Sequence, residues 1–83
     1  MNTLTQIIER YDDEEFLKAD GFDDAVIGVC HLSRRLIYSY AKCIEILVVE
    51  EGMEVIDAIE HLSYNVINSY VGENTPIWCV DYH

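Results

Sequence analysis

The sequence predicts a single α+β domain in which three helical segments pack on a small three-stranded, mainly antiparallel sheet. Apolar residues at positions 53–71 recur at alternating spacings of four and three, the period of an amphipathic helix. Two β-branched, apolar runs at residues 25–31 and 35–39 flank a short link and predict a hairpin. A chain of 83 residues has room for one such domain.

Composition indicates a folded and soluble protein. Hydrophobic residues make up 51% of the chain, which is too apolar for disorder despite a formal net charge of −11. That charge argues against direct binding to nucleic acid or to an anionic membrane. Because the chain has neither a long apolar run nor a basic-then-apolar N-terminus, we expect a cytoplasmic protein without membrane contact.

The first 20 residues predict an acidic helical segment ahead of an α+β core at residues 21–83. Leu4, Ile7 and Tyr11 recur on one side of a short helix, and four carboxylates follow at residues 12–15. Residues 20–24 predict a turn, since Gly and Asp tolerate the conformations that interrupt regular structure. In the hairpin, Gly28 indicates a bulge or a close approach of another backbone segment.

The second half predicts two helices and a last strand. Ser39 is expected to cap a helix that residues 50–52 end. The central helix then turns one apolar stripe toward the core, with Ile59 buried at its middle, and Gly72 ends it. That stripe consists of Val55, Ile59, Leu62, Val66 and Tyr70. Residues 77–80 form the third strand.

No motif for catalysis, a cofactor or a metal occurs in the chain, so we expect neither an enzyme nor a cofactor. Three widely spaced cysteines without a CxxC pair indicate reduced thiols that act as small hydrophobes. The residues available to zinc lack close ligand pairs, and Cys30 and His31 point to opposite faces of the predicted strand. Those residues are Cys30, His31, Cys43, His61 and Cys79.

Most of the negative charge lies in two segments. Residues 9–24 carry eight carboxylates against Arg10 and Lys18, and residues 45–60 carry six without any Lys or Arg. Glu50, Glu54 and Asp57 are spaced so that a helix would present them as a row resembling backbone phosphates. The other interpretation is a solvated face that keeps the protein soluble. The predicted partner-binding residues are Asp12, Asp13, Glu14, Glu15, Asp20, Asp23, Asp24, Glu50, Glu51, Glu54 and Asp57.

Aromatic residues cluster late in the chain, at Tyr64, Tyr70, Trp78 and Tyr82. They predict either an anchor for a partner or second copy of the protein, or ordinary core packing. Arg34 and Arg35, the basic pair at the hairpin link, are expected to offset nearby carboxylates.

Three segments, GFDDAVIGV at 21–29, RLIYSYAKCIEIL at 35–47 and AIEHLSYNVINSYVGENTPIW at 58–78, resemble a family of small acidic proteins of tailed bacteriophages. The resemblance implies a viral origin and a place among anti-defence proteins such as anti-CRISPR proteins, and it carries no catalytic residue.

The resulting expectation is a phage inhibitor in the cytoplasm of the infected bacterium. Its acidic surfaces would imitate nucleic acid and block the basic groove of a host nucleic-acid-binding protein, with a CRISPR effector complex as the leading candidate. The alternative is a non-enzymatic structural or assembly module of the phage that self-associates through its late aromatic residues, for example as a homodimer.

Overall fold

The computed structural model of the protein describes residues 3–69 and 75–80. Its elements are the helices α1 (Thr3–Arg10), α2 (Tyr40–Val49) and α3 (Val55–His61) and the strands β1 (Val26–Val29), β2 (Leu36–Ser39) and β3 (Ile77–Cys79). The strands form one sheet in the order β1-β2-β3. The predicted α+β class, with three helices and a three-stranded sheet, is confirmed.

Strands β1 and β2 form the predicted antiparallel hairpin. Val26 pairs with Tyr38 and Val29 pairs with Leu36, and the register shifts between Val26 and Gly28. The predicted bulge at Gly28 is therefore confirmed, and a Cβ added to Gly28 would meet no described heavy atom within 4 Å. β1 ends at Val29, so Cys30 and His31 lie in the hairpin loop and not on the strand.

Helix α2 begins where the sequence places its cap. The Ser39 side chain is fully buried and accepts a hydrogen bond from the Lys42 N–H at 3.2 Å. At the other end the Met53 N–H donates to the Leu47 carbonyl, and Gly52 adopts φ +70°. A positive φ interrupts a right-handed helix, and glycine adopts it without strain. α3 therefore starts as a separate helix after Gly52.

The third strand joins the sheet beside β2 and runs parallel to it. Ile37 pairs with Ile77 and Tyr38 pairs with Trp78, so β2 is the central strand. A parallel pair needs a long crossover, which α2 and α3 provide. The rings of Tyr38 and Trp78 lie 5.1 Å apart at 32°, and Tyr38 is fully buried.

The acidic N-terminal segment is helical only in α1, whose Leu4 and Ile7 are buried in the core. The prediction of a helical segment through residue 20 is wrong, since residues 14–19 have no regular structure. Four adjacent carboxylates disfavour helix propagation, and the Ala19 N–H donates instead to the Tyr38 hydroxyl at 2.8 Å.

The central helix turns a different line of residues to the core from the one predicted. Ala58 and Leu62 are fully buried and Val66 is 9% exposed, whereas Ile59 is 39% exposed. The prediction of a buried Ile59 is wrong, because α3, which packs against α2, buries Ala58 and leaves Ile59 partly in water. After His61 the helix continues as a π turn (Leu62–Val66) and a 3-10 turn (Ile67–Ser69). These turns change the period on which the predicted stripe depended.

Some predictions fall on residues outside the described ranges, namely those about Tyr70, Gly72 and Tyr82. In the part of the chain that the structure describes, no helix is both long enough and apolar enough to cross a membrane.

Leu62 is buried and Ile59 is partly exposed, so truncation to alanine should lower the free energy of unfolding by different amounts at the two positions. Leu62→Ala should lower the free energy of unfolding by about 2–5 kcal/mol, because it leaves a cavity in the core. Ile59→Ala should cost about 1 kcal/mol or less, since water already reaches that side chain. Urea unfolding followed by circular dichroism measures both. A larger loss for Ile59→Ala than for Leu62→Ala would contradict the orientation of α3.

Candidate functional site

All eleven predicted partner-binding carboxylates have exposed side chains. Their positions in the fold divide them into separate groups, because some lie in the loop after α1 and others near the ends of α2 and α3. Position in the fold, and not exposure, therefore decides which of them can act together.

Five carboxylates from the two acidic segments meet around the C-terminal half of α2. One surface depression is bordered by Asp20, Glu50 and Glu51 together with Phe22 and Ile46. A second is bordered by Asp24, Glu45 and Glu50 together with Lys42 and Val49. Glu50 and Ile46 border both, so the two depressions are neighbours. We call this the acidic surface, and define it as Asp20, Asp24, Glu45, Glu50 and Glu51.

Core packing brings the two segments together. Phe22 is 6% exposed and Ala25 is fully buried. The 3-10 turn Asp23–Ala25, which follows Phe22, packs against α2. The apolar residues of this short stretch face inward, which leaves its Asp side chains in water beside the exposed face of α2. The acidic surface is therefore a consequence of how the N-terminal segment docks.

The part of the acidic surface at the end of α2 is electrostatically unfavourable for the helix. Glu50 is the C-cap of α2, whose last turn carries no basic residue. The carboxyl end of a helix carries partial negative charge, so a carboxylate there costs on the order of 0.3–1 kcal/mol where a Lys or Arg would stabilise. Among the described residues that border the two depressions, Lys42 is the one Lys or Arg. The carboxylate of Glu50 is thus not explained by helix stability.

The predicted row of Glu50, Glu54 and Asp57 is not one helical row. Glu50 ends α2, Glu54 is the N-cap of α3 and Asp57 lies in its first turn. The positive φ of Gly52 separates Glu50 from the other two. The carboxylates that do follow helical spacing are Glu54, Asp57 and Glu60, which is three residues further along.

The carboxylates at residues 12–15 border neither depression. They follow Tyr11, whose ring lies 4.8 Å below the guanidinium of Arg34 in the hairpin loop. Arg35 donates to the Ser33 hydroxyl at 3.1 Å and to the Thr75 carbonyl at 3.4 Å. The contacts described for the two arginines thus hold the hairpin loop against its neighbours.

The late aromatic residues do not form one surface among those described. Trp78 packs on Tyr38 at the edge of the core, whereas Tyr64 is 72% exposed on the π turn. Tyr64 borders a shallow depression with Asp57, Glu60 and His61. Core packing accounts for Trp78, and Tyr64 is left as the exposed aromatic side chain of this stretch.

The three cysteines are free thiols in different surroundings. Cys43 is fully buried in the core, as its expected role of a small hydrophobe requires. Cys30 is partly exposed in the hairpin loop. The Ser33 hydroxyl, the backbone N–H groups of Ser33 and Leu32, and the charge of Arg35 lower the pKa of the Cys30 thiol from 9.0 to about 7.

No metal site is apparent in residues 3–69 and 75–80, where no three or more His, Cys, Asp or Glu side chains are grouped closely enough to hold an ion. The His61 side chain contacts an amide: the amide nitrogen of Asn65 lies 3.3 Å from its Nδ1, within hydrogen-bond distance.

Sequence reasoning missed two residues that stand out in the structure. Glu45 belongs to the acidic surface, and its membership in the run of carboxylates without cations at residues 45–60 is the signal for it. Cys30 is predicted to act as a small hydrophobe, and the signals for its lowered pKa are Ser33, three residues later, and to a smaller extent Arg35.

Comparison with protein families, curated proteins and solved structures gives no match for this chain. The resemblance to phage proteins therefore stays a prediction that rests on its three sequence segments.

The surroundings of Cys30 predict a thiol that reacts near neutral pH. The rate at which iodoacetamide alkylates Cys30, followed by mass spectrometry of its peptide, should rise with a midpoint at pH about 7. Ser33→Ala should move the midpoint upward, because it removes the largest contribution to thiolate stability. A wild-type midpoint near 9.0, the unperturbed value, or a midpoint that Ser33→Ala leaves unchanged, would contradict this description of the loop.

Proposed function

We propose that the protein is a non-enzymatic inhibitor whose acidic surface occupies a basic, nucleic-acid-binding groove of another protein. In line with the phage resemblance, we propose that it acts in the cytoplasm of an infected bacterium. The proposed target is a host defence protein, with a CRISPR effector complex as the leading candidate.

The observation that carries this proposal is the convergence of carboxylates from two distant segments on one surface. Asp20 and Asp24 come from the N-terminal segment, and Glu45, Glu50 and Glu51 come from α2 and the turn that follows it. Glu50 and Glu51 lie at the negative end of α2, where a carboxylate does not serve the fold. A surface whose charge costs stability is readily explained when that charge binds something.

Inhibition would follow from occupancy. A groove lined by Lys and Arg binds nucleic acid largely through phosphates and released counterions. Clustered carboxylates on a folded domain carry the same sign of charge as those phosphates. They can therefore occupy the groove, and they offer no nucleic-acid strand to unwind or cleave. The charge also steers the encounter, so inhibition should weaken as salt is raised.

The test is a mobility-shift assay with purified, guide-loaded CRISPR effector complexes of several types and labelled target DNA. Wild-type protein should abolish DNA binding by at least one type at near-stoichiometric concentration. A variant with Asp20→Asn, Glu45→Gln, Glu50→Gln and Glu51→Gln should inhibit at least about tenfold more weakly, because the groove loses its charged partner.

A matched control removes the same amount of charge elsewhere. The variant with Asp12→Asn, Asp13→Asn, Glu14→Gln and Glu15→Gln should keep most of the inhibition and the circular dichroism of wild type. If both variants lose inhibition equally, net charge and not the acidic surface is responsible. If no effector type is inhibited by wild-type protein, CRISPR complexes are not the target.

A further inference from the structure

Helix α3 carries an apolar ridge that the described part of the chain leaves exposed. Val55 is 56% exposed, Ile56 is 70% exposed and Ile59 is 39% exposed. Ile59 lies four residues after Val55 and three after Ile56, so the three side chains are neighbours on one side of the helix. We call these three residues the α3 ridge. Contiguous exposed aliphatic side chains are typical of binding sites, whereas single ones are not.

The ridge is flanked by negative charge. Glu54 precedes it as the N-cap of α3, and Asp57 and Glu60 lie within its length. Asp57 and Glu60 also border the shallow depression that contains Tyr64, whose ring is 72% exposed. α3 itself has no Lys or Arg. The helix therefore offers apolar contact and anionic contact side by side, with an aromatic ring at the end of the acidic side.

The charges around the ridge argue against a second copy of the chain as the occupant. Each copy carries a formal net charge of −11, and a symmetric contact would bring Glu54, Asp57 and Glu60 of both copies together. Three aliphatic side chains alone fall far short of the roughly 800 Å² that each partner buries in a standard interface. The acidic flanks must take part in any stable contact, and they require positive charge opposite them.

From these observations we propose that the α3 ridge binds a cationic amphipathic helix of a partner protein. Two or three apolar side chains of that helix would contact Val55, Ile56 and Ile59, and its Lys or Arg side chains would meet Glu54, Asp57 and Glu60. This is the helix-on-helix mode in which apolar residues at helical spacing anchor the contact. The proposal rests on the proposed function in one respect, that the partner surface is basic, and it adds an apolar anchor outside the acidic surface.

The probe is a fluorescent peptide of about 14 residues in which Leu and Lys are placed at amphipathic helical spacing. Its binding is measured by fluorescence anisotropy in about 150 mM salt, where interactions of exposed charges are screened beyond about 8 Å. Wild-type protein should bind this peptide at least about tenfold more tightly than a peptide of the same composition with the spacing scrambled. Equal binding of both peptides would overturn the proposal.

The ridge variant is Val55→Gln, Ile56→Gln and Ile59→Gln, because Gln keeps helix propensity while removing the apolar surface. It should bind the amphipathic peptide at least about tenfold more weakly, with unchanged circular dichroism. The matched control is Leu17→Gln, Leu32→Gln and Val80→Gln, three other exposed aliphatic positions. The control should bind like wild type. Equal loss in the two variants, or loss in neither, would overturn the ridge as the site.

Light scattering decides about a second copy. A wild-type dimer that the ridge variant converts to a monomer would show that the ridge joins two copies of this chain, and would overturn the proposal of a cationic partner. The peptide assay contains no nucleic-acid-binding protein, so peptide binding can succeed when no effector is inhibited. Inhibition through the acidic surface can equally survive in the ridge variant, which separates failure of this proposal from failure of the proposed function.

Discussion

The contacts of Tyr38 connect the parts of the chain that this small fold has to hold together. Tyr38 lies in the central strand and its ring packs on Trp78 of β3. Its hydroxyl accepts a hydrogen bond from the Ala19 N–H at 2.8 Å. Tyr38 and Ala19 are both fully buried, so the hydrogen bond between them lies in the core. A buried N–H that lost this acceptor would cost about 1–3 kcal/mol. The segment ahead of β1 is thereby fixed against the sheet, and with it the position of Asp20.

None of the predicted partner-binding carboxylates is buried, yet their charge still affects the stability of the fold. A domain of this length buries only about 60% of the surface of its unfolded chain, so its stability margin is small. The carboxylates at the end of α2 face the negative end of the helix, whereas Asp57 in the first turn of α3 lies at the favourable end. The acidic surface is therefore where charge opposes stability, and it is also where the two acidic segments meet.

Much of the fold could be predicted from local signals, because a glycine in a strand, a serine before a helix and a β-branched run each act over a few residues. The bulge at Gly28 and the cap at Ser39 are confirmed for that reason. The inward face of α3 could not be predicted, because its apolar arc is wider than the contact with α2, and the docking of the small Ala58 decides which part is covered. The acidic surface forms where the N-terminal segment docks on α2, and the two are distant in sequence. The sequence therefore predicts four of its five carboxylates as partner-binding residues, but it does not predict that they meet on one surface.

Docking of the N-terminal segment through Tyr38 builds the acidic surface. The most direct test is amide hydrogen exchange of Ala19, resolved by nuclear magnetic resonance. The Ala19 amide should exchange as slowly as amides of the core strand β2, and Tyr38→Phe should remove this protection while β2 stays protected. Exchange of the wild-type Ala19 amide at the rate of an unstructured peptide would contradict this docking, because the two acidic segments would then not be held on one surface.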